Sequence, residues 1–197
     1  MASRARTTRM RTAVALAAAG IAVLAGCSTN DGVAAQVGDA GYVAGDGFVT
    51  EVPVGDREQP AAFRGPLADG GDFDSAELDG VALVNFWYAG CPPCRVEAPV
   101  LADLHDEFGD EVTFLGVNTR DGAAQALAFE EQFGIAYPSI LDDATGSAQL
   151  AFSGIVAPNA VPTTLVLDRE GRVAARVSGA VSDTSILSTL LREELER

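Results

Sequence analysis

Two cysteines three positions apart, Cys91 and Cys94, stand between an apolar run and a helix-like segment in FWYAGCPPCRVEAP, residues 86–99. Such a pair can be half of a metal site, a permanent cross-link or a redox couple. Structural zinc needs four ligands, and two thiolates leave two to find. The single histidine, His105, lies eleven residues after Cys94 in the same helical stretch, and no second CxxC occurs. Attachment of c-type haem needs a histidine directly after the second cysteine, where this chain has Arg95. An iron–sulfur cluster would lack two thiolates. No metal and no cofactor is therefore expected. A permanent staple closing so small a loop constrains the unfolded chain little. Redox chemistry fits better. Pro92 and Pro93 sit where a helix begins, and proline in a first turn sacrifices only an N–H that would be unpaired. Cys91 then lies at the helix N-terminus, where orphan N–H groups and the macrodipole favour a thiolate. A lower thiol pKa makes a better leaving group and leaves more thiolate to attack. Cys94, one turn later, can close the ring.

The elements that must hold this pair are legible as periodicities. Residues 81–87 form a nearly continuous apolar run, as in a strand buried on both faces. Residues 94–108 carry apolar positions at helical spacing, ended by Gly109 in C′ style. A second buried strand is expected over 112–117 and a helix over 123–133, closed by Gly134. A shorter helix follows over 145–152. Residues 163–167 and 173–177 make a hairpin around Asp168-Arg169-Glu170-Gly171, and Asp183 can cap a last helix to about residue 196. Residues 61–78 are expected to hold short strands and a turn. The order predicts an α/β domain with a central mixed sheet flanked by helices, a short N-terminal β extension and a helical insertion. Cys91 falls just past the carboxyl end of the first core strand, where α/β sheets place reactive groups.

The first residues look like a targeting segment. Arg4, Arg6, Arg9 and Arg11 precede an apolar run over 13–25 that is too short and too alanine-rich to span a bilayer comfortably. It ends in Leu24-Ala25-Gly26-Cys27, which resembles the bacterial lipobox, whose cysteine is lipidated. The expected organisation is a signal peptide over 1–26, a lipidated Cys27 with a flexible tether over 27–59, and one domain over 60–197. No twin-arginine pair is present, because Met10 separates Arg9 from Arg11. With Cys27 taken by lipid, Cys91 and Cys94 are the only cysteines left to the domain. The formal charge of −15 becomes about −19 on processing, with nine basic residues against 28 acidic. So acidic a surface argues against nucleic acid and against electrostatic adhesion to anionic lipid.

The segment Leu83-Val84-Asn85-Phe86-Trp87 followed by Cys91-Pro92-Pro93-Cys94-Arg95-Val96-Glu97-Ala98-Pro99 resembles the thioredoxin-like, membrane-anchored TlpA/ResA thiol–disulfide oxidoreductases. Tyr137-Pro138, Leu141-Asp142, Val161-Pro162-Thr163-Thr164 and the turn Asp168-Arg169-Glu170-Gly171-Arg172 agree with that family further along the chain. The resemblance implies a thioredoxin-like fold and a cis Val161–Pro162 bond that puts the Val161 backbone beside Cys91, ready to pair with an extended substrate strand. It places Val161, Pro162, Trp87, Pro92 and Pro93 on the substrate side, with Trp87 packed near the active-site loop. Pro99 should kink the active-site helix. Asn85 stands where thioredoxin has a buried aspartate that handles protons, and an amide cannot do that. Glu97, one turn beyond Cys94, is where the family carries a functional glutamate; partly buried, it could accept the proton of the resolving thiol. His105 is expected exposed. Gly90 departs from the family, which often has tryptophan before the first cysteine, and should leave Cys91 more open.

The function so implied is a lipid-anchored, monomeric, extracytoplasmic thiol–disulfide oxidoreductase with Cys91 attacking, Cys94 resolving and Glu97 assisting. Its clients would be disulfide-containing proteins such as apocytochrome c, and its electrons would come from a membrane thiol-transfer partner. The same chemistry run backwards would make an oxidant of secreted proteins. A copper-handling thioredoxin fold usually wants CxxxC spacing and a distant histidine, and a binding lipoprotein with vestigial cysteines is the third rival. A peroxidase is disfavoured by the lack of a Thr-x-x-Cys motif.

Overall fold

The apolar run becomes strand β4 (Ala82–Trp87), all six of its residues buried, at the heart of a six-stranded mixed sheet. The structure is a computed structural model that describes residues 47–157 and 159–197, so the expected signal peptide, Cys27 and residues 28–46 lie outside the described residues. Helix α1 (Pro92–Phe108) carries the chain across to β5 (Thr113–Asn118), which pairs parallel to β4 from Ala82↔Thr113 to Trp87↔Asn118. Helix α2 (Ala123–Phe133) leads to β6 (Ser139–Leu141), parallel to β5 at one edge. On the other side of β4 lie β7 (Thr163–Leu167) and β8 (Val173–Ser178), an antiparallel hairpin that pairs with β4 through β7. A parallel pair needs a helical crossover and an antiparallel pair needs only a turn, which is why the sheet is mixed in this way. A separate hairpin, β2 (Arg64–Pro66) and β3 (Asp72–Asp74), touches the sheet through a bridge between Leu67 and Ile140.

Alternation along β4 splits the core into two layers. Val84 and Phe86 face one, with Phe152, Leu115 and Leu165; Leu83 faces the other, with Leu101, Leu104, Leu187 and Leu191. Short helix α3 (Ser147–Ala151) borders the first layer through Ala148, and α4 (Ser185–Leu195) closes the second. This is the thioredoxin-like arrangement, with the short hairpin before it and α3 as an added helix.

Several local expectations need correction. The tether expected over 27–59 holds a strand near its end: β1 (Phe48–Glu51) adds antiparallel to β8, with Phe48 opposite Ser178. Its alternation is weak because Phe48 and Glu51 are both exposed at the sheet edge, and backbone pairing rather than burial holds it. Gly109 is right-handed at φ −62°, not αL; a Cβ there would stand 2.6 Å from the His105 carbonyl, so space selects glycine. Gly134 is αL at φ 70°. Asp183 accepts from the Ser185 N–H at 2.9 Å, a cap one residue outside the assigned helix end. His105 is half-buried, its ring 5.2 Å from that of Phe114 and 5.6 Å from that of Tyr137.

The N-terminal segment is tied in by charge as well. Arg57 donates to both carboxylate oxygens of Glu194 on α4 at 2.8 Å and to Asp168 at the β7–β8 turn at 3.1 Å, and its side chain is 4 % exposed. Losing Arg57 leaves two buried carboxylates, Glu194 and Asp168, with only the more exposed Arg197 and Arg172 as cationic partners. Arg57→Met should therefore lower unfolding stability by about 3 kcal/mol. Urea denaturation checks this, and a change under 0.5 kcal/mol, as at an exposed pair, would show the cluster to be decorative.

Candidate active site

Strand β4 ends at Trp87, the chain turns through Tyr88-Ala89-Gly90, and α1 starts with Cys91 as its N-cap. The Cys91 sulfur accepts the Cys94 N–H at 3.1 Å, so the sulfur itself satisfies an orphan donor of the first turn. The two prolines occupy the first two helical positions. Cys91 and Cys94 are joined as a disulfide, with Cα atoms 5.3 Å apart. A thiolate at Cys91 would meet the same N–H and the positive end of a 17-residue helix. Pro99 lies inside α1 and lacks the N–H that would have closed the turn from Arg95.

The turn is held by side chains that sequence reasoning missed. Asp121, buried beside β5, accepts from the Ala89 N–H at 2.6 Å and from Asn118 Nδ2 at 2.8 Å. The Thr119 N–H donates to the Trp87 carbonyl at 3.0 Å. The signal was present as Asn118-Thr119-Arg120-Asp121 between a buried strand and a helix, a polar cluster whose Asp121 turns back to the β4 end while α2 has no side-chain cap. Trp87, expected on the substrate side, is 4 % exposed and lies against Phe129 with ring centroids 4.4 Å apart, so it supports the turn from below. Arg95 covers that aromatic stack at 5.0 Å from the Phe133 centroid and donates to the Ala89 carbonyl.

Glu97 is fully buried, at 1 % exposure, where only partial burial was expected. Its Oε1 accepts from Asn85 Nδ2 at 2.8 Å, and Oε2 has no hydrogen-bond partner. Burial pushes its pKa up from 4.5 to about 8, against the weaker opposing pulls of the Asn85 amide and the Val181 backbone N–H. Burial also pushes the Tyr137 hydroxyl up, and the nearby carboxylates of Glu97 and Glu130 add to it. Asn85, Cys94 and Tyr137 line one small cavity of about 10 Å³ beneath the cysteine pair.

On the open side, the Val161–Pro162 bond is cis and both residues are buried. The Val161 N–H already donates to the Asn159 carbonyl at 3.0 Å, so an incoming strand does not find both backbone groups of Val161 ready. Pro92 is exposed and Pro93 half-buried. Gly90 does not leave Cys91 open: Cys91 is 0 % exposed while Gly90 is exposed. A Cβ on Gly90 would come within 3.2 Å of the Tyr88 ring, so Tyr88 occupies the space a side chain there would need. A groove of about 230 Å³ flanks this loop, walled by Phe86, Val156, Ala160, Val161 and the exposed Leu150.

Comparison with known proteins agrees with this geometry. The model of the AhpC/TSA family matches residues 57–176. The chain belongs to this family. A thiol:disulfide interchange protein, HelX, of Rhodobacter capsulatus is 36 % identical over 66 % of the chain and 71 % of its own length. The thiol-disulfide oxidoreductase ResA of Halalkalibacterium halodurans is 25 % identical over 66 % of the chain and 72 % of its own length. Among solved structures, a secreted thiol-disulfide isomerase from Corynebacterium glutamicum superposes with a TM-score of 0.69 at 27 % identity, covering 76 % of this chain and 92 % of that one.

The raised Glu97 pKa makes stability depend on pH with a definite sign. The folded state holds the Glu97 proton more tightly than the unfolded chain does. That contribution is complete below pH 4.5 and is lost as pH rises to about 8. The slope is on the order of 1 kcal/mol per pH unit. Glu97→Gln cannot titrate, so its stability relative to wild type should climb across this window and level off above it. Urea unfolding of the oxidised proteins between pH 4 and 9 measures the difference; a constant offset would contradict a buried, titrating carboxyl.

Proposed function

We propose that this thiol–disulfide oxidoreductase works outside the cytoplasm as a reductant of client proteins, apocytochrome c cysteines among them. Family membership, the thioredoxin-like sheet and the Cys91–Cys94 pair at the start of α1 support thiol–disulfide exchange itself. The observation that carries the exchange mechanism is Glu97, a buried carboxyl with one unpartnered oxygen, one helical turn past Cys94. The reduced pair supplies two electrons. The Cys91 thiolate attacks one sulfur of a client disulfide and releases the other as a thiolate, leaving a mixed disulfide. Cys94 then passes its proton to Glu97 and attacks the Cys91 sulfur. The bond to the client breaks, the Cys91–Cys94 disulfide forms, and the client leaves as a dithiol.

Each turnover leaves the enzyme oxidised, so a membrane thiol-transfer donor must return two electrons. A lipid on Cys27 would hold the domain near that donor. Cys27 and the leader lie outside the described residues, and the support for anchoring is the sequence Leu24-Ala25-Gly26-Cys27 after an apolar run. Cys27→Ala should shift the protein from the membrane to the soluble fraction, which fractionation and immunoblotting would show; an unchanged membrane fraction would remove the anchor.

Wild-type protein should accelerate dithiothreitol-driven reduction of insulin, and Cys91→Ser should abolish the acceleration. Equal rates would end the enzymatic claim. Direction is read by alkylation trapping in living cells. A mostly reduced pair is expected, and a mostly oxidised pair would make the protein a disulfide donor.

A further inference from the structure

We propose that Asn85 is the positioning residue of the resolving step: its amide fixes Glu97 Oε1 and so leaves Oε2 as the oxygen that takes the Cys94 proton. The inference rests on the reading of Glu97 as proton acceptor given above. Asn85 sits on β4 directly opposite Thr164 of β7 and Gly116 of β5, in the middle of the sheet. Its side chain is therefore placed by two strand pairings rather than by a loop. Both hydrogens of Nδ2 are spent, one on Glu97 Oε1 at 2.8 Å and one on Thr164 Oγ1 at 3.0 Å. A planar amide held at two points has no rotational freedom left, and it passes that restriction to the carboxyl.

The result is an asymmetric carboxyl. One oxygen accepts from Asn85 and the other has no partner in hydrogen-bond geometry, the Val181 N–H adding only a weaker pull on the group, and both lie in a site that water does not reach. A proton entering the group goes to the oxygen without a donor, because protonating Oε1 would set it against the Asn85 hydrogen. The groups facing Glu97 sort in the same way. On α1, Cys94 stands one turn before Glu97 and is buried as it is; from the segment before β6 comes the Tyr137 hydroxyl; from β7, Thr164, whose hydroxyl is engaged with Asn85; from the β8–α4 connection, the Val181 N–H. No cation stands among them. Asn85 is thus the main group favouring the ionised carboxylate, and the residue that keeps the acceptor usable near neutral pH. An aspartate at 85 would put two carboxylates within 2.8 Å, and a leucine would strand Oε1 without a donor.

The test follows single turnovers of a mixed disulfide between Cys91 and a short model peptide. Peptide release is measured against pH in wild type, Asn85→Ala, Glu97→Gln and the double variant. In Asn85→Ala the pH midpoint of release should move upward, with a rate at pH 7 roughly ten- to a hundredfold lower, the scale of a hydrogen bond to a charged group. On the Glu97→Gln background the same change should do nothing further. Equal losses on both backgrounds, or a lower rate with an unmoved midpoint, would overturn the proposal by showing that Asn85 supports only the fold. A Glu97→Gln profile identical to wild type would remove the proposal together with the Glu97 reading, while the insulin assay would still stand or fall by Cys91. Asn85→Ser, which keeps a hydroxyl donor in the smaller space, should restore part of the shift and carries the test if the alanine variant does not fold. Infrared titration of the Glu97 carboxyl in the oxidised proteins gives the same midpoints without the thiols, and midpoints matching wild type in both variants would likewise overturn it.

Discussion

A helix whose N-cap is the reactive sulfur sets the terms for everything around it. The Cys94 N–H that the Cys91 sulfur accepts belongs to the residue whose own sulfur is bonded to it in the disulfide. The cap therefore fixes the distance between the two reacting groups and stabilises the charge on one of them. It works only if the chain enters the helix at one angle. Asp121 and Thr119 supply that entry by taking the Ala89 N–H and holding the Trp87 carbonyl, from the neighbouring strand end. The parallel pairing of β4 with β5 brings those two strand ends level, Trp87 opposite Asn118. The central sheet thus acts on the chemistry through one turn of three residues.

The other half of the site is a problem of solvation. A carboxyl 1 % exposed cannot ionise cheaply, and a fully solvated one would be ionised at every working pH and too weak a base to help a thiol. Placing Glu97 under α1 with a single strong donor lies between these cases. The amide of Asn85 does what a cation there could not do without overcorrecting, since an adjacent arginine would drive the carboxyl pKa far below that of a thiol. With an amide where thioredoxin has an aspartate, β4 contributes a hydrogen-bond donor and α1 the buried carboxyl that accepts from it.

Much of this was written in the sequence where one residue decides the matter. The apolar run of 81–87, the prolines between the two cysteines and the hairpin at residues 168–171 each follow from short-range rules, and the core strands and helices that were expected fall within a residue or two, while β6 was not anticipated. What escaped is what depends on a distant partner. β1 is a strand because β8 offers an edge, Arg57 belongs to the fold because Glu194 and Asp168 await it, and Asp121 matters because Ala89 is 32 positions away in sequence and 2.6 Å away in space. Glu97 was legible as a candidate by its position in the motif, but its burial was not, because one turn of helix does not reveal what covers it.

Gly90 shows the same limit most sharply. A missing side chain reads as an opening, yet Cys91 is 0 % exposed. The space is closed from elsewhere: Tyr88 lies against Gly90, the Arg120 guanidinium stands 4.4 Å from the Tyr88 ring centroid, and Arg120 reaches Asn159 on the loop that leads to Pro162. Asn159 holds a left-handed φ of 60°, which asparagine tolerates better than most residues. Arg120 thus links the segments 88–90, 118–121 and 159–162 to one another, and Cys91 is covered although position 90 carries no side chain.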